Sequence, residues 1–139
     1  MECRDIDNPE GQSLEALRRT FDHWREALRA GDLDTVVDLV TEDAEFWTNG
    51  RPTLQGRQSL RRAFAPIMEE WTLDQAFDCR ELIVSGDVAF ARGMESNRLV
   101  PVSGGEAVTE RQRAFSVLRR GDDGVWRFAR GMTNLPPEE

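Results

Sequence analysis

Few side chains in this 139-residue chain could do chemistry, and their types narrow the reactions open to it. There is one histidine, His23, and there are two cysteines, Cys3 and Cys79; lysine and tyrosine are absent, so all 18 basic residues are arginines. Lysine Schiff-base chemistry and proton donation by a tyrosine phenol are therefore out of reach. One histidine and two cysteines cannot complete a Cys/His zinc site, and no Gly-x-Ser-x-Gly elbow, Walker sequence or dinucleotide-binding glycine pattern occurs. The sequence predicts neither a metal nor a cofactor. What remains is general acid–base work by a carboxylate or by His23, helped by hydroxyl and indole donors. Most of the acids have an ordinary explanation. Asp43 suits a turn cap, Glu69-Glu70 a solvated helix end and Asp122-Asp123 a hairpin turn. His23 sits beside the apolar stripe of its helix, where a partly exposed structural histidine competes with a catalytic one.

The elements that must position these groups follow from periodicity. Ser13 occupies an N-cap position, and Leu14, Leu17, Phe21, Trp24 and Leu28 step by three and four along one helical stripe that Gly31 ends. Asp32 caps a shorter helix carrying Leu33, Val36, Val37 and Val40. A short extended piece, Glu45-Phe46-Trp47-Thr48, leads into the turn dipeptide Asn49-Gly50. Gly56 opens a third helix with Leu60, Ala63, Phe64, Ile67 and Met68 on its apolar positions and Pro66 as a local distortion. After Trp71 the period changes to two, predicting strands over 73–84, 87–100, 107–120 and 125–134. Three helices followed by long antiparallel strands is an α+β pattern. Residues 1–12 read as a flexible leader, 13–134 as one domain and 135–139 as a tail.

Composition bounds the partners. The chain is 39% hydrophobic and 32% charged with mean hydropathy −0.57, a globular profile. Its net charge of −8 argues against binding a phosphate backbone, so no nucleic-acid partner is expected. No apolar run approaches the roughly 18 residues of a membrane span, and no apolar stretch follows Met1-Glu2-Cys3-Arg4-Asp5. The expectation is a cytoplasmic protein with no membrane partner. In a reducing compartment, a disulfide from a loose N-terminus to Cys79 is not expected.

The layout resembles the SnoaL-like, ketosteroid-isomerase-like families of the nuclear transport factor 2-like superfamily. The resemblance rests on Trp24, Gly31-Asp32 and Leu39, on Asp43-Ala44-Glu45-Phe46, Gly56-Arg57, Val84-x-Gly86-Asp87-x-Ala89 and Val117-Leu118-Arg119-Arg120, and on Asp123-Gly124-x-Trp126-Arg127-Phe128. It implies a cone-shaped fold, with three N-terminal helices packed on a strongly curved antiparallel sheet and an apolar ligand cavity at the open end. It also implies a homodimer through the outer sheet face. Such a fold hosts isomerases, dehydratases, cyclases, epoxide hydrolases and catalytically silent binding domains, so it does not specify a reaction.

The family chemistries fail residue by residue. Where ketosteroid isomerase carries a tyrosine, a proton-shuttling aspartate and an oxyanion-binding aspartate, this chain has Trp24, Thr48 and Ser116. Scytalone-dehydratase-like chemistry needs two interior histidines. The epoxide-hydrolase arrangement needs an arginine between two aspartates, whereas Arg111-Gln112-Arg113 has no carboxylate. SnoaL-type cyclases use a late carboxylate, and 125–134 contains none.

The same alignment assigns strand faces. With Ser116 inward, so are Gln112, Ala114, Ala89, Ala91, Gly93, Ala129, Gly131 and Thr133, and Glu95 joins them unless a one-residue bulge turns it outward, while Val88, Phe90, Arg92, Met94, Phe115, Val117, Trp126, Phe128 and Met132 face outward. Small inward residues either let the helices pack close or leave room for a ligand walled by Trp24, Phe46, Phe64, Met68 and Trp71. Glu95 is the best candidate acid or base if it is buried; a pairing with Arg92, Arg98 or Arg113 at the rim is its structural alternative. Asn134 could meet a ligand at the mouth or merely end its strand, and Thr133 belongs with the ligand-binding set. The expected function is binding of a small apolar or polycyclic molecule. The alternative is a proton-transfer enzyme of isomerase, cyclase or dehydratase type, with Glu95 or His23 as base and Trp24, Thr48 and Ser116 as donors. A third possibility is an interaction module whose cavity is filled.

Overall fold

A computed structural model describes residues 1–11 and 13–138, so Gln12 of the leader and Glu139 of the tail lie outside the described residues. The chain runs β1 (Cys3–Asp7), α1 (Leu14–Ala30), α2 (Leu33–Asp38), β2 (Val40–Trp47), β3 (Leu54–Gln55), α3 (Gly56–Glu70), β4 (Trp71–Ser85), β5 (Val88–Pro101), β6 (Val108–Arg120) and β7 (Trp126–Asn134). The described strands form one curved, open sheet in the order β1-β4-β5-β6-β7-β2-β3.

Helix α1 lies on the concave face against β4 and β7. Its three-four spacing buries Leu17 and Leu28 completely, each worth roughly 1.5–3 kcal/mol relative to exposure. Phe21 stacks on Phe77 at 5.3 Å and meets Phe128 edge-on at 5.1 Å. Gly31 ends the helix with φ 69°, the left-handed conformation that a Cβ disfavours. Asp32 caps α2 by accepting from the Thr35 backbone N–H at 3.2 Å. Helix α2 bridges α1 and α3, and α3 packs on β2.

Several expectations are corrected. The three helices are preceded by a strand, because residues 3–7, read as part of a flexible leader, pair in parallel with β4. Cys3 lies opposite Cys79 in that ladder, and the two form a disulfide. The expectation of unpaired cysteines rested on a loose N-terminus and a reducing compartment. The strand removes the first support, and the bond itself is typical of oxidising surroundings. The sheet is mixed and not antiparallel, since β2 also pairs in parallel with β7. Val40 opens β2 instead of closing α2, which makes Thr41 to Ala44 strand residues. No helix among the described residues is long and apolar enough to cross a membrane.

The most consequential correction is a bulge. Pairing between β6 and β7 slips between Val117 and Leu118, leaving Ala129 as the extra residue. One inserted residue reverses strand parity. Trp126 and Phe128, expected on the outer face, therefore point inward and are only 2% and 6% exposed, while Gly131 and Thr133 beyond the bulge keep the inward face.

Candidate functional site

A second irregularity shapes the open end. Pairing of β4 with β5 slips between Cys79 and Glu81, opposite Gly93. A Cβ at Gly93 would collide with the Asp78 carbonyl, so only glycine allows the backbones to approach this closely. Beyond this point β5 presents Glu95, Asn97 and Leu99 to the concave side. The cavity there has a volume of about 660 Å³. Its apolar walls come from Trp24 of α1, Phe64 of α3, Phe46 of β2, and Phe77 and Phe128 of the sheet. Trp24 meets Phe64 edge-on at 6.1 Å and Phe128 at 5.1 Å. Phe46 reaches the wall because Gly131 leaves it space, since a Cβ there would lie 2.6 Å from the ring.

Polar groups converge on Glu95. Gln112, its register partner on β6, donates from Nε2 to Glu95 Oε2 at 2.7 Å, and the Asn97 side chain is a second hydrogen-bond partner. Asn49 Nδ2 donates to Gln112 Oε1 at 2.9 Å, Gln75 Nε2 donates to Asn97 Oδ1 at 2.8 Å, and Trp24 Nε1 donates to Gln75 Oε1 at 2.8 Å. Glu95 thus has neutral amide partners, and the arginine pairing weighed for it is not made. Burial pushes its carboxyl above the ordinary value, and the two amides offset only part of that. Asp74 shows the opposite case. Hydrogen bonding from Arg25, opposed by partial burial and supported by Arg29, holds its carboxyl down to about 2.

Thr48 also lines the cavity, and its Oγ1 is buried without a hydrogen-bond partner. An unpaired buried hydroxyl costs about 1–3 kcal/mol, so such a group invites a ligand partner. Ser116 and Thr133 line the same space, and Thr133 Oγ1 accepts from the Asn49 backbone N–H at 3.4 Å.

Other site expectations are corrected. His23 is exposed on α1 and is not among the lining residues, because its helical angle turns it away from the Trp24 stripe. Trp24 walls the cavity, but its indole N–H is already engaged by Gln75 and is not free for a ligand. Met68 packs against the core without reaching the cavity. Trp71 opens β4 beside a separate hollow with Pro101 and Val102. Asn134 is exposed and follows Thr133 by one strand position, which turns it off the concave face. Among the described residues, no group of three or more His, Cys, Asp or Glu could hold a metal ion.

Gln75, Asn97 and Asn49 were missed as site residues, and Gln112 was recognised only as inward-facing. Period two from Glu95 leads to Asn97, and cross-strand register carries that to Gln75. Asn49 read as nothing more than a turn residue.

The fold is that of known structures. A conserved protein from Planctomyces limnophilus is 27% identical, with a TM-score of 0.79 over 87% of this chain and 93% of that one. A ketosteroid isomerase-like protein from Erwinia carotovora is 22% identical, with a TM-score of 0.75 over 88% of this chain and 95% of that one. A candidate dehydratase of the NTF2-like family from Streptomyces avermitilis is 22% identical, with a TM-score of 0.78 over 90% and 97%. No curated protein matches the sequence. The SnoaL-like domain profile matches residues 12–131, nearly the whole of the chain just described, and the protein belongs to that SnoaL-like family.

Proposed function

We propose that the chain binds a small, largely apolar or polycyclic molecule in this cavity and transfers a proton to or from it through Glu95. The observation that carries the reading is a half-buried carboxylate with only amide partners, in the same lining as the unpaired Thr48 hydroxyl. A carboxyl whose pKa is raised by burial is a better base than an exposed one and can also return the proton. Thr48 and Ser116 supply hydroxyls for a ligand oxygen, and the aromatic walls supply apolar contact. A second reading, binding without chemistry, is favoured by the exposed position of His23, which leaves Glu95 without a histidine partner.

A thermal-shift screen with steroids, aromatic polyketides and terpenes tests the binding. A ligand at one hundred times its Kd stabilises by about 2.7 kcal/mol. Absence of any shift across these classes overturns the reading. For a ligand found this way, hydrogen wash-out in D2O is followed by proton NMR. Proton transfer requires wash-out that Glu95→Gln abolishes while binding persists; binding with no wash-out in either protein selects the second reading.

The outer sheet face supports a homodimer. Trp47, Met132 and Phe115 are 55%, 46% and 40% exposed, lie side by side in register, and continue into Phe90, which stacks on Phe115 at 5.0 Å. A contiguous apolar face of this kind marks an interface, and a second copy presents the same face. Sedimentation at micromolar concentration is expected to give a dimer, and a monomer excludes it.

A further inference from the structure

We infer that Trp24, acting through Gln75 and Asn97, is a positioning residue that holds Glu95 as a proton acceptor, so that the cavity's occupant meets Glu95 with a hydroxyl, enol or acidic C–H. The inference rests on the proton-transfer reading above and adds the direction of the transfer.

The argument starts from an asymmetry among donors. A side-chain amide has an oxygen and an NH2 and can turn end for end, but an indole N–H can only donate. Trp24 Nε1 donates to Gln75 Oε1 at 2.8 Å, and turning Gln75 round would set its NH2 against that N–H. The Gln75 NH2 is thereby directed at Asn97 Oδ1, also at 2.8 Å. With its oxygen engaged, Asn97 has only its NH2 left for Glu95. The second arm has the same polarity, from Asn49 Nδ2 to Gln112 Oε1 and from Gln112 Nε2 to Glu95 Oε2. That arm ends on an amide, which can turn; only the Trp24 arm ends on a group that cannot. Both arms deliver donors, and a protonated Glu95 would find no acceptor in either. The remaining lone pairs of the carboxylate are satisfied by a donor on the occupant.

The other charged groups lining the cavity are Asp22 and Arg25 of α1, Arg51 after β2, Glu110 and Arg111 of β6, and the Met1 amino group. None of them is hydrogen-bonded to Glu95. Opposite Glu95, β4 presents Phe77, which does not titrate.

The test needs no ligand. In protein labelled with [δ-13C]glutamate, the Glu95 carboxyl signal is the one missing from Glu95→Gln, and the Trp24 indole 15N–1H signal is the one missing from Trp24→Phe. In the unmodified protein the indole signal is expected to shift with the same pH midpoint as the Glu95 carboxyl. Gln75→Met should abolish that response, because the relay is cut. Both Gln75→Met and Trp24→Phe should move the carboxyl midpoint to higher pH, because Asn97 is then free to turn its oxygen toward Glu95. An indole signal indifferent to the Glu95 titration overturns the inference, as does an unmoved midpoint in either folded variant. If Trp24→Phe does not fold, the Gln75→Met pair of readings decides. Failure here leaves ligand binding untouched, and failure to find a ligand leaves this titration result standing.

Discussion

Two ends of one concave surface meet at Gly93, and they are built on opposite terms. Toward the β4–β5 hairpin, the inward positions are Val84, Ala89 and Leu118 in one row and Leu82 and Ala91 in the next, each at most 2% exposed under α1. Past Gly93, the inward positions include the polar Glu95, Gln112, Asn97 and Gln75 beside Phe77 and Leu99, with the cavity above them. The strands, the register and the alternation are common to both ends. Side-chain size and polarity differ. One end gains its free energy from close packing, while the other leaves polar groups facing a hollow. Close packing and the polar cavity are thus built on different halves of the same strands, which lets the second half depart from what folding alone favours.

Substitutions can break or sharpen that contrast. The largest effect is expected from Leu118→Ala, which opens a void at the packed end and should cost about 2–5 kcal/mol by urea unfolding, with the Glu95 titration unchanged. A loss below about 1 kcal/mol would show that this end is not close-packed. Next come two register partners on β5 and β6. Ala91→Leu should cost about 1–3 kcal/mol by overpacking, whereas Ser116→Leu, reaching into the cavity, should change stability by less than about 1 kcal/mol and block ligand-induced thermal shifts. Equal costs at the two positions would erase the distinction. The smallest effect concerns Glu95→Gln. Burial raises the folded-state pKa of Glu95, so the unfolded chain gives up this proton at lower pH than the folded one. The carboxyl therefore withdraws stability as pH climbs from its ordinary 4.5 through the folded-state value. Denaturation curves should coincide for the two proteins below 4.5, with the glutamine variant more stable above that range. A gap that instead opens toward acid pH has the wrong sign and would place Glu95 among stabilised carboxylates such as Asp74.

The α1 stripe and the Gly31 stop are legible in the sequence, because each depends on spacing within one element; the face of Glu95 stays open there, because strand bulges decide it. The Trp126 and Phe128 faces were not legible. Their orientation depends on a bulge at Ala129, which no local signal in an alternating strand announces. Strand β1 was hidden for a related reason. Its residues Arg4, Asp5 and Asp7 are polar, and only long-range pairing with β4 makes them a strand. Glu95 was found as a lone acid, but the amide network that ends on it comes from three strands and a turn. Their convergence is a property of register and not of spacing. His23 is exposed, as its place beside the apolar stripe implies, and only its alternative role as a base is lost.

The parallel strand tied down by Cys3 has a consequence for how copies of the chain meet one another. Without it, β4 would present unpaired backbone N–H and C=O groups along the sheet margin from Cys79 to Ile83, a ready template for another chain's strand. Five residues close that stretch, and Arg4, Asp5 and Asp7 set both signs of charge along the new margin. The covalent link to Cys79 therefore holds in place a guard against open-ended sheet growth along this margin.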